Sequence, residues 1–352
     1  ELEAVLAQIM AFAPKTNKIN LRKVLVESVD TLAWLSEYQD LALTTRPPDK
    51  FRYYSPYFED TVLLEERLWQ FIKLRCTYVL KEAEPLAIEF SPAGEVKGME
   101  IATSKGVIKV TARSVILAAG GFSGNKDYLA EYYPKAARLD CSFRTGGTKG
   151  IVLDLVKDIE ADIIKAQRIY FVPVLFPAQK LIDKSQYPDL MKGIWLDRHG
   201  EDITESALEV LRAGSEKDVT DWFLNRAGQP FYLLFPGNRE AALPGLVPVF
   251  SLTQLSSQTD IPAEILVKAL AGGPPPYYLG TLELQPLYNM GGLAADEQGR
   301  ILKHGAAIPG LYGAGETVGW LHGETIFPGL PLTEGLVMGR IAGREAACFA
   351  GK

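Results

Sequence analysis

Three stretches of the chain end an apolar run in small residues, and each could receive a ligand. Residues 114–125 (SVILAAGGFSGN) read as a buried strand running straight into glycines. Glycine lets a ligand or a second backbone approach closely, and ligands of α/β sheets bind at the carboxyl ends of strands. Residues 308–316 (IPGLYGAGE) repeat the pattern and end in Glu316, a carboxylate able to accept hydrogen bonds from ribose or ribityl hydroxyls. Residues 327–335 (FPGLPLTEG) lead into a helix opened by Pro331 or Thr333. Free N–H groups and the positive dipole end there suit an electron-rich ligand atom. Taken singly, a tight turn or a plain N-cap accounts for each stretch as well.

Groups that could move protons are few. Tyr288 could polarise a carbonyl or carry a proton, or simply pack. His322 is the only histidine inside a motif, whereas His199 and His304 fall in polar turns and are read as solvated. No His, Cys and carboxylate set has metal-ligand spacing, and no Gly-x-Ser-x-Gly elbow occurs.

These residues need a framework. With 352 residues, 47% of them hydrophobic, the chain can build about two domains, or one large α/β domain carrying an insertion. A net charge of −6 argues against nucleic acid as a partner. No run approaches the ~20 apolar residues of a membrane helix, so no transmembrane segment is expected. Cys76, Cys141 and Cys348 lie too far apart for a disulfide framework or metal knuckle, so a reducing, cytoplasmic compartment is expected. The chain opens on Glu1 with no signal-peptide pattern, which reads as a boundary rather than a beginning.

Helical spacing predicts helices within the first 45 residues, broken at Pro14–Asn20, and another over Glu65–Leu74. A period of two then predicts strands at Thr77–Leu80, Leu86–Phe90, Val96–Thr103 and Gly106–Ala112, and a continuous apolar run a buried strand at Ser114–Ala119. The middle lobe has helix candidates near Lys126–Tyr133, Val152–Asp158 and Leu208–Leu224, and strands near Gly193–Asp197 and Phe231–Phe235. Gly272–Pro276 is the strongest linker signal. Strands at Tyr277–Leu282, Ile301–Leu302 and Gly310–Tyr312 precede a last helix over Thr333–Ala350.

In order and together, these motifs resemble the flavoprotein family of fumarate reductase, succinate dehydrogenase and 3-ketosteroid dehydrogenase. The matching stretches are ARSVILAAGGFSGN (112–125), MGGLAADEQGRIL (290–302), IPGLYGAGETVGWLHG (308–323) and LTEGLVMGRIAGREAA (332–347). VDTLAWL (29–35), KGIWLDRHGEDITE (192–205) and YLLF (232–235) add to them. The resemblance implies an α/β fold, α+β overall, in which a Rossmann-like FAD-binding domain carries an inserted capping domain. Residues 1–125 and 277–352 would form the FAD-binding parts, and 126–276 mainly the cap. FAD would lie against Ala118, Ala119, Gly120, Gly121 and Asn125, with Gly315 and Glu316 at the ribityl chain. The backbone of Leu332 and Thr333 would face the pyrimidine end, where the helix terminus stabilises negative charge on reduced flavin. Tyr288, His322 and Arg239, which follows YLLF, are the catalytic candidates. Glu205 matches a family position in the cap.

The family's opening βαβ unit, with GxGxxG on the pyrophosphate, has no counterpart here, so the domain is expected to lack it. A second polypeptide could supply that arm, the chain could be a processed or incomplete piece, or it could be a non-catalytic subunit that has lost FAD. Substrate groups depart as well. Dicarboxylate enzymes place His-Thr before Met-Gly-Gly and an Arg after His-Gly, where this chain has Tyr288-Asn289 and Ile326. A carboxylate needs such donors to be desolvated. The expected activity is therefore hydride transfer between flavin and a C–C bond of an uncharged or ketone-bearing, steroid-like substrate, held near Ile326, Phe327 and Leu330. A carboxylate reductase of the fumarate reductase type is the alternative.

Overall fold

Leu6 and Ile9 on the helix Leu2–Phe12 (α1) and Leu21 and Val24 on Lys18–Gln39 (α2) recur at helical spacing and are buried. The break between them is set by Asn17, whose Oδ1 accepts from the N–H groups of Ile19 and Asn20 and so caps α2. A computed structural model describes residues 2–39, 61–139, 148–182, 186–213, 216–226, 229–237 and 243–351. They form two units, one from residues within 1–125, 146–170 and 288–352, the other from residues within 126–145 and 171–287. The middle lobe expected at 126–276 thus gives up its 146–170 stretch to the first unit, and the second unit extends to Leu287.

In the first unit α2 is followed by Thr61–Arg75 (α3). The strand expected at Thr77–Leu80 is irregular, with Tyr78, Val79 and Leu80 exposed. Alternation alone makes no strand where no neighbour takes up the backbone groups. Glu84–Phe90 (β1), Val96–Thr103 (β2) and Gly106–Thr111 (β3) form an antiparallel sheet. Val115–Leu117 (β4) is shorter than Ser114–Ala119. After Lys126–Tyr132 (α4) in the second unit, the chain returns with Ile151–Val156 (α5) and Ile163–Ile164 (β5).

The second unit is built on a sheet of Ile169–Phe176 (β6), Lys180–Leu181 (β7), Ile194–Leu196 (β8), Phe231–Phe235 (β9), Val247–Val249 (β10) and Tyr277–Asn289 (β11). Its order is β7-β6-β11-β9-β8, with β10 also on β11. β9, which carries YLLF, is buried along its whole length, as the continuous apolar run requires. Tyr187–Leu190 (α6), Thr204–Ala213 (α7), Glu216–Asn225 (α8), Leu252–Thr259 (α9) and Ala263–Ala269 (α10) complete the unit. α7 and α8 replace the single helix expected over Leu208–Leu224. Gly214 and Ser215, weak helix formers, fall between them. Gly272–Pro276 is not a border: it lies within this unit, and Pro274 accepts the N–H of Gly237 at 2.8 Å.

Back in the first unit, Gly292–Leu293 (β12) pairs with β5, and Arg300–Lys303 (β13) pairs antiparallel with Ala306–Gly313 (β14). β14 runs parallel to β4. Leu330–Ala350 (α11) starts three residues earlier than its periodicity suggests, because Gly329 (φ +82°) turns the chain and Pro331 fits the first turn. α11 lays Ala342 and Ala346 on Tyr312 of β14. No helix among the described residues is long and apolar enough to cross a membrane.

The turn between β13 and β14 is pinned by Asp162, whose two carboxylate oxygens accept the N–H groups of His304 (2.9 Å) and Gly305 (2.8 Å). Those bonds, that of Gly305 first, hold the Asp162 carboxyl below the usual range. A depressed carboxyl stabilises the fold above its unfolded value and loses that effect as the pH falls through the folded one. Asp162→Asn should therefore lower the urea midpoint at neutral pH, with the gap to wild type closing in acid, as the pH falls through the lowered folded-state value. Equal gaps at both pH values would show that Asp162 does not act through its charge.

Candidate functional site

The parallel pairing of β4 with β14 sets Val115 opposite Leu311 and Leu117 opposite Gly313. The N–H of Ala314 donates to the Leu117 carbonyl at 3.1 Å. The glycine runs 118–121 and 313–316, far apart in sequence, therefore leave the sheet from neighbouring strand ends. Ala118 and Ala119 are exposed there, and Gly120 (φ +79°) and Gly315 (φ +65°) take left-handed backbone that other residues resist. Gly315 lies against Gly335 of α11, so that a β-carbon on either would come within 4.0 Å of the other's Cα. The start of α11 thereby reaches the same strand ends. In its first turn the Thr333 N–H is taken by the Gly329 carbonyl, which also accepts the Thr333 hydroxyl. The Leu332 N–H makes no hydrogen bond among the described residues, and Leu332 is exposed.

Asn289 locks these segments together. Its Oδ1 accepts the N–H groups of Phe122 and Ser123, each at 2.7 Å, and its own N–H donates to Glu316 Oε1 at 2.9 Å. Gly121 lies directly beneath: a β-carbon there would stand 2.3 Å from Asn289 Oδ1 and 2.8 Å from Glu316 Oε1. Asn125 serves the returning chain, donating from Nδ2 to the Lys149 carbonyl at 2.8 Å. Gly150 donates to the Gly121 carbonyl at 3.0 Å.

His322 and Tyr288 come together as well, their rings edge to face with centroids 5.4 Å apart. His322 is buried, and its Nε2 lies 2.9 Å from Oε2 of Glu334, which is buried too. Lys165, at a left-handed φ of +53°, donates from Nζ to the His322 carbonyl at 3.0 Å. Burial pushes the Lys165 ammonium below the ordinary lysine range, the nearby Arg168 guanidinium adds to this, and Glu334 opposes it. No carboxylate forms an ion pair with Lys165 or Arg168 among the described residues.

Of the remaining candidates, Arg239 lies outside the described residues. Glu205 sits on α7 with its side chain 89% exposed, near Arg212, as a solvated helix residue does. Phe327 and Leu330 are buried, with Phe327 edge-on to Phe12. Both belong to the core, and Ile326 is half-buried. Lys165, Glu334 and the locking role of Asn289 escaped sequence reasoning. Glu334 did leave a signal, since it shares the buried helical stripe of Val337, Met338 and Ile341.

A family model described as FAD binding domain matches residues 77–329. The chain belongs to this family. Its relatives include the fumarate reductase (cytochrome) of Shewanella frigidimarina, 26% identical over 299 residues, which are 74% of this chain and 50% of that one. The chain thus spans about half the length of the curated relatives it matches. Among solved structures, an open flavocytochrome c3 fumarate reductase superposes with a TM-score of 0.84 at 19% identity, covering 100% of this chain and 68% of that one. A 3-ketosteroid-Δ4-(5α)-dehydrogenase from Rhodococcus jostii RHA1 gives 0.64 at 16%, covering 99% and 84%.

FAD is the cofactor of this family, and the residues present fit its flavin end. Exposed small residues at Ala118 and Ala119, with Gly315 beside them, suit a flat ring, Glu316 supplies a carboxylate, and Leu332 an N–H unused among the described residues. No glycine-rich phosphate loop of the GxGxxG type occurs in these 352 residues. Gly121→Ala should force Asn289 and Glu316 apart, costing about 1–3 kcal/mol of stability and weakening FAD binding. Unchanged thermal melting and FAD titration in this variant would show that the lock does not depend on Gly121.

Proposed function

We propose that the protein is an FAD-dependent oxidoreductase moving hydride between flavin and the C–C bond of an olefin activated by a carboxylate. The observation that carries this reading is the bare-backbone cradle at the ends of β4 and β14, latched by Asn289 and completed by the unpaired Leu332 N–H. FAD, when bound, supplies or accepts the hydride. The chain's own residues bind and orient: Glu316 holds the polyol, Leu332 N–H meets an electron-rich atom of the ring, and Tyr288 with His322 borders the reacting groups.

Lys165 and Arg168 support a carboxylate as the activating group, being neighbouring cations that form no ion pair among the described residues, with Lys165 bound to the His322 carbonyl. The relative from Shewanella frigidimarina, named for fumarate, points the same way. A ketone-activated substrate is the second reading. It is favoured by Ile326 standing where dicarboxylate enzymes have Arg, and by the likeness to a 3-ketosteroid dehydrogenase. A second polypeptide holding the adenine-nucleotide arm fits the want of a phosphate loop. The exposed free thiols of Cys76 and Cys348 fit a reducing, cytoplasmic setting.

Purified protein, together with any polypeptide that copurifies, should show a flavin spectrum. Glu316→Ala should weaken FAD binding about tenfold, as loss of a charged hydrogen-bond acceptor does. Chemically reduced protein should be reoxidised by unsaturated carboxylates, and Lys165→Met should raise their KM. A colourless complex that takes up no added FAD would end the enzyme reading. Reoxidation by enones alone would transfer the assignment to the ketone class.

A further inference from the structure

Glu334 and His322 are the least exposed ionisable side chains among the described residues, at 1% and 2%. Although Nε2 and Oε2 are 2.9 Å apart, neither ring nitrogen and neither carboxylate oxygen makes an aligned hydrogen bond. The contact is a close approach of two buried ionisable groups and not an aligned hydrogen bond. A lone buried carboxylate or imidazolium is costly, whereas the two together compensate each other. Glu334 also lies in the first turns of α11, where the positive helix end favours a carboxylate.

The surroundings are arranged around this pair. From the segment after β5, Lys165 donates to the His322 carbonyl and feels the charge of Glu334, with Arg168 beyond it. From the end of β11, Tyr288 presents its ring to the imidazole. From the α1–α2 side Lys15 pairs with Glu324 at 2.6 Å, both side chains exposed, and two clamps hold the backbone: Asn17 N–H donates to the Leu321 carbonyl, and Asn20 Nδ2 to that of Trp320, both at 2.9 Å. Gly323 passes so near α1 that a β-carbon would stand 2.4 Å from the carbonyl carbon of Lys15. The segment bearing His322 is thus held on the α1–α2 side by contacts that do not involve α11.

We infer that Glu334 is a positioning residue: paired with an imidazolium at His322, it ties the first turns of α11 to the clamped Trp320–Gly323 segment and so holds the Leu332 N–H where the cofactor meets it. The last step rests on the proposed flavin function; the charge pair does not. One proton belongs to the pair, and neutralising Glu334 should release it from His322.

With only three histidines in the chain, ring 15N spectra of the holoprotein can follow each one. At mildly alkaline pH, where solvated histidines are neutral, wild type should keep one imidazolium signal, absent from His322→Gln. In Glu334→Gln that signal should change to the neutral pattern. Each single variant should weaken FAD binding about tenfold, and the double variant no further than either. A neutral His322 in wild type, or additive losses across the cycle, would overturn the inference. If the single variants fail to fold, the wild-type spectrum still decides. If no flavin is bound at all, the flavin reading falls while the ring spectrum still judges the pair.

Discussion

Everything in the first unit depends on three chain segments meeting at the carboxamide of Asn289. A side-chain oxygen taking two backbone N–H groups at 2.7 Å, with the same residue's N–H given to a carboxylate, fixes the strand ends in three directions. The lock is possible only because Gly121 has no side chain. A parallel pair as short as β4 and β14 has few ladder bonds of its own, so tertiary hydrogen bonds must set where its turns point. Buried N–H groups also need acceptors, and Asn289 satisfies at one point the two that the glycine turn exposes.

That constraint determines what can bind. Once the glycine runs emerge side by side, the surface between them is backbone and methyl groups, which suits a flat aromatic ring better than a charged group. Charge is kept to the margin, with Glu316 on one side and the α11 terminus on another. The helix reaches this place because Gly315 and Gly335 allow contact near the van der Waals limit, while Glu334 engages His322 on the same helix one residue earlier. A family relationship at low identity is compatible with this design, since its key elements are glycines, backbone groups and one amide.

How far the site could be read from the sequence follows from the range of each interaction. Strand-to-glycine transitions are local, so residues 114–125 and 308–316 declared themselves, as did the start of α11. Their adjacency depends on parallel pairing between residues nearly 200 positions apart, and only the likeness to a flavoprotein family supplied it. Lys165 lies in an unremarkable polar stretch, and its importance comes from a left-handed backbone and a carbonyl partner at residue 322. Glu334 was legible in principle as a carboxylate on an apolar helical stripe. Proline and glycine misled at Gly272–Pro276, where they make a turn inside a unit, since punctuation marks a bend without telling what lies on either side.

The substitutions that set this chain apart from the dicarboxylate pattern bear on one another. Tyr288 and Asn289 replace a His-Thr pair immediately before Met290 and Gly291. Those two residues hold the loop carrying Lys165 and Arg168: the Met290 N–H donates to the Arg168 carbonyl at 2.9 Å. A β-carbon on Gly291 would fall 2.0 Å from the Lys165 carbonyl oxygen. The segment after Tyr288 and Asn289 is therefore the one against which the loop of Lys165 and Arg168 is fixed. Tyr288 packs edge to face on the His322 ring, while Lys165 reaches the same residue through its backbone carbonyl. On the proposed reading an anion is met from the loop carrying Lys165 and Arg168 and not from the strand end that bears Tyr288.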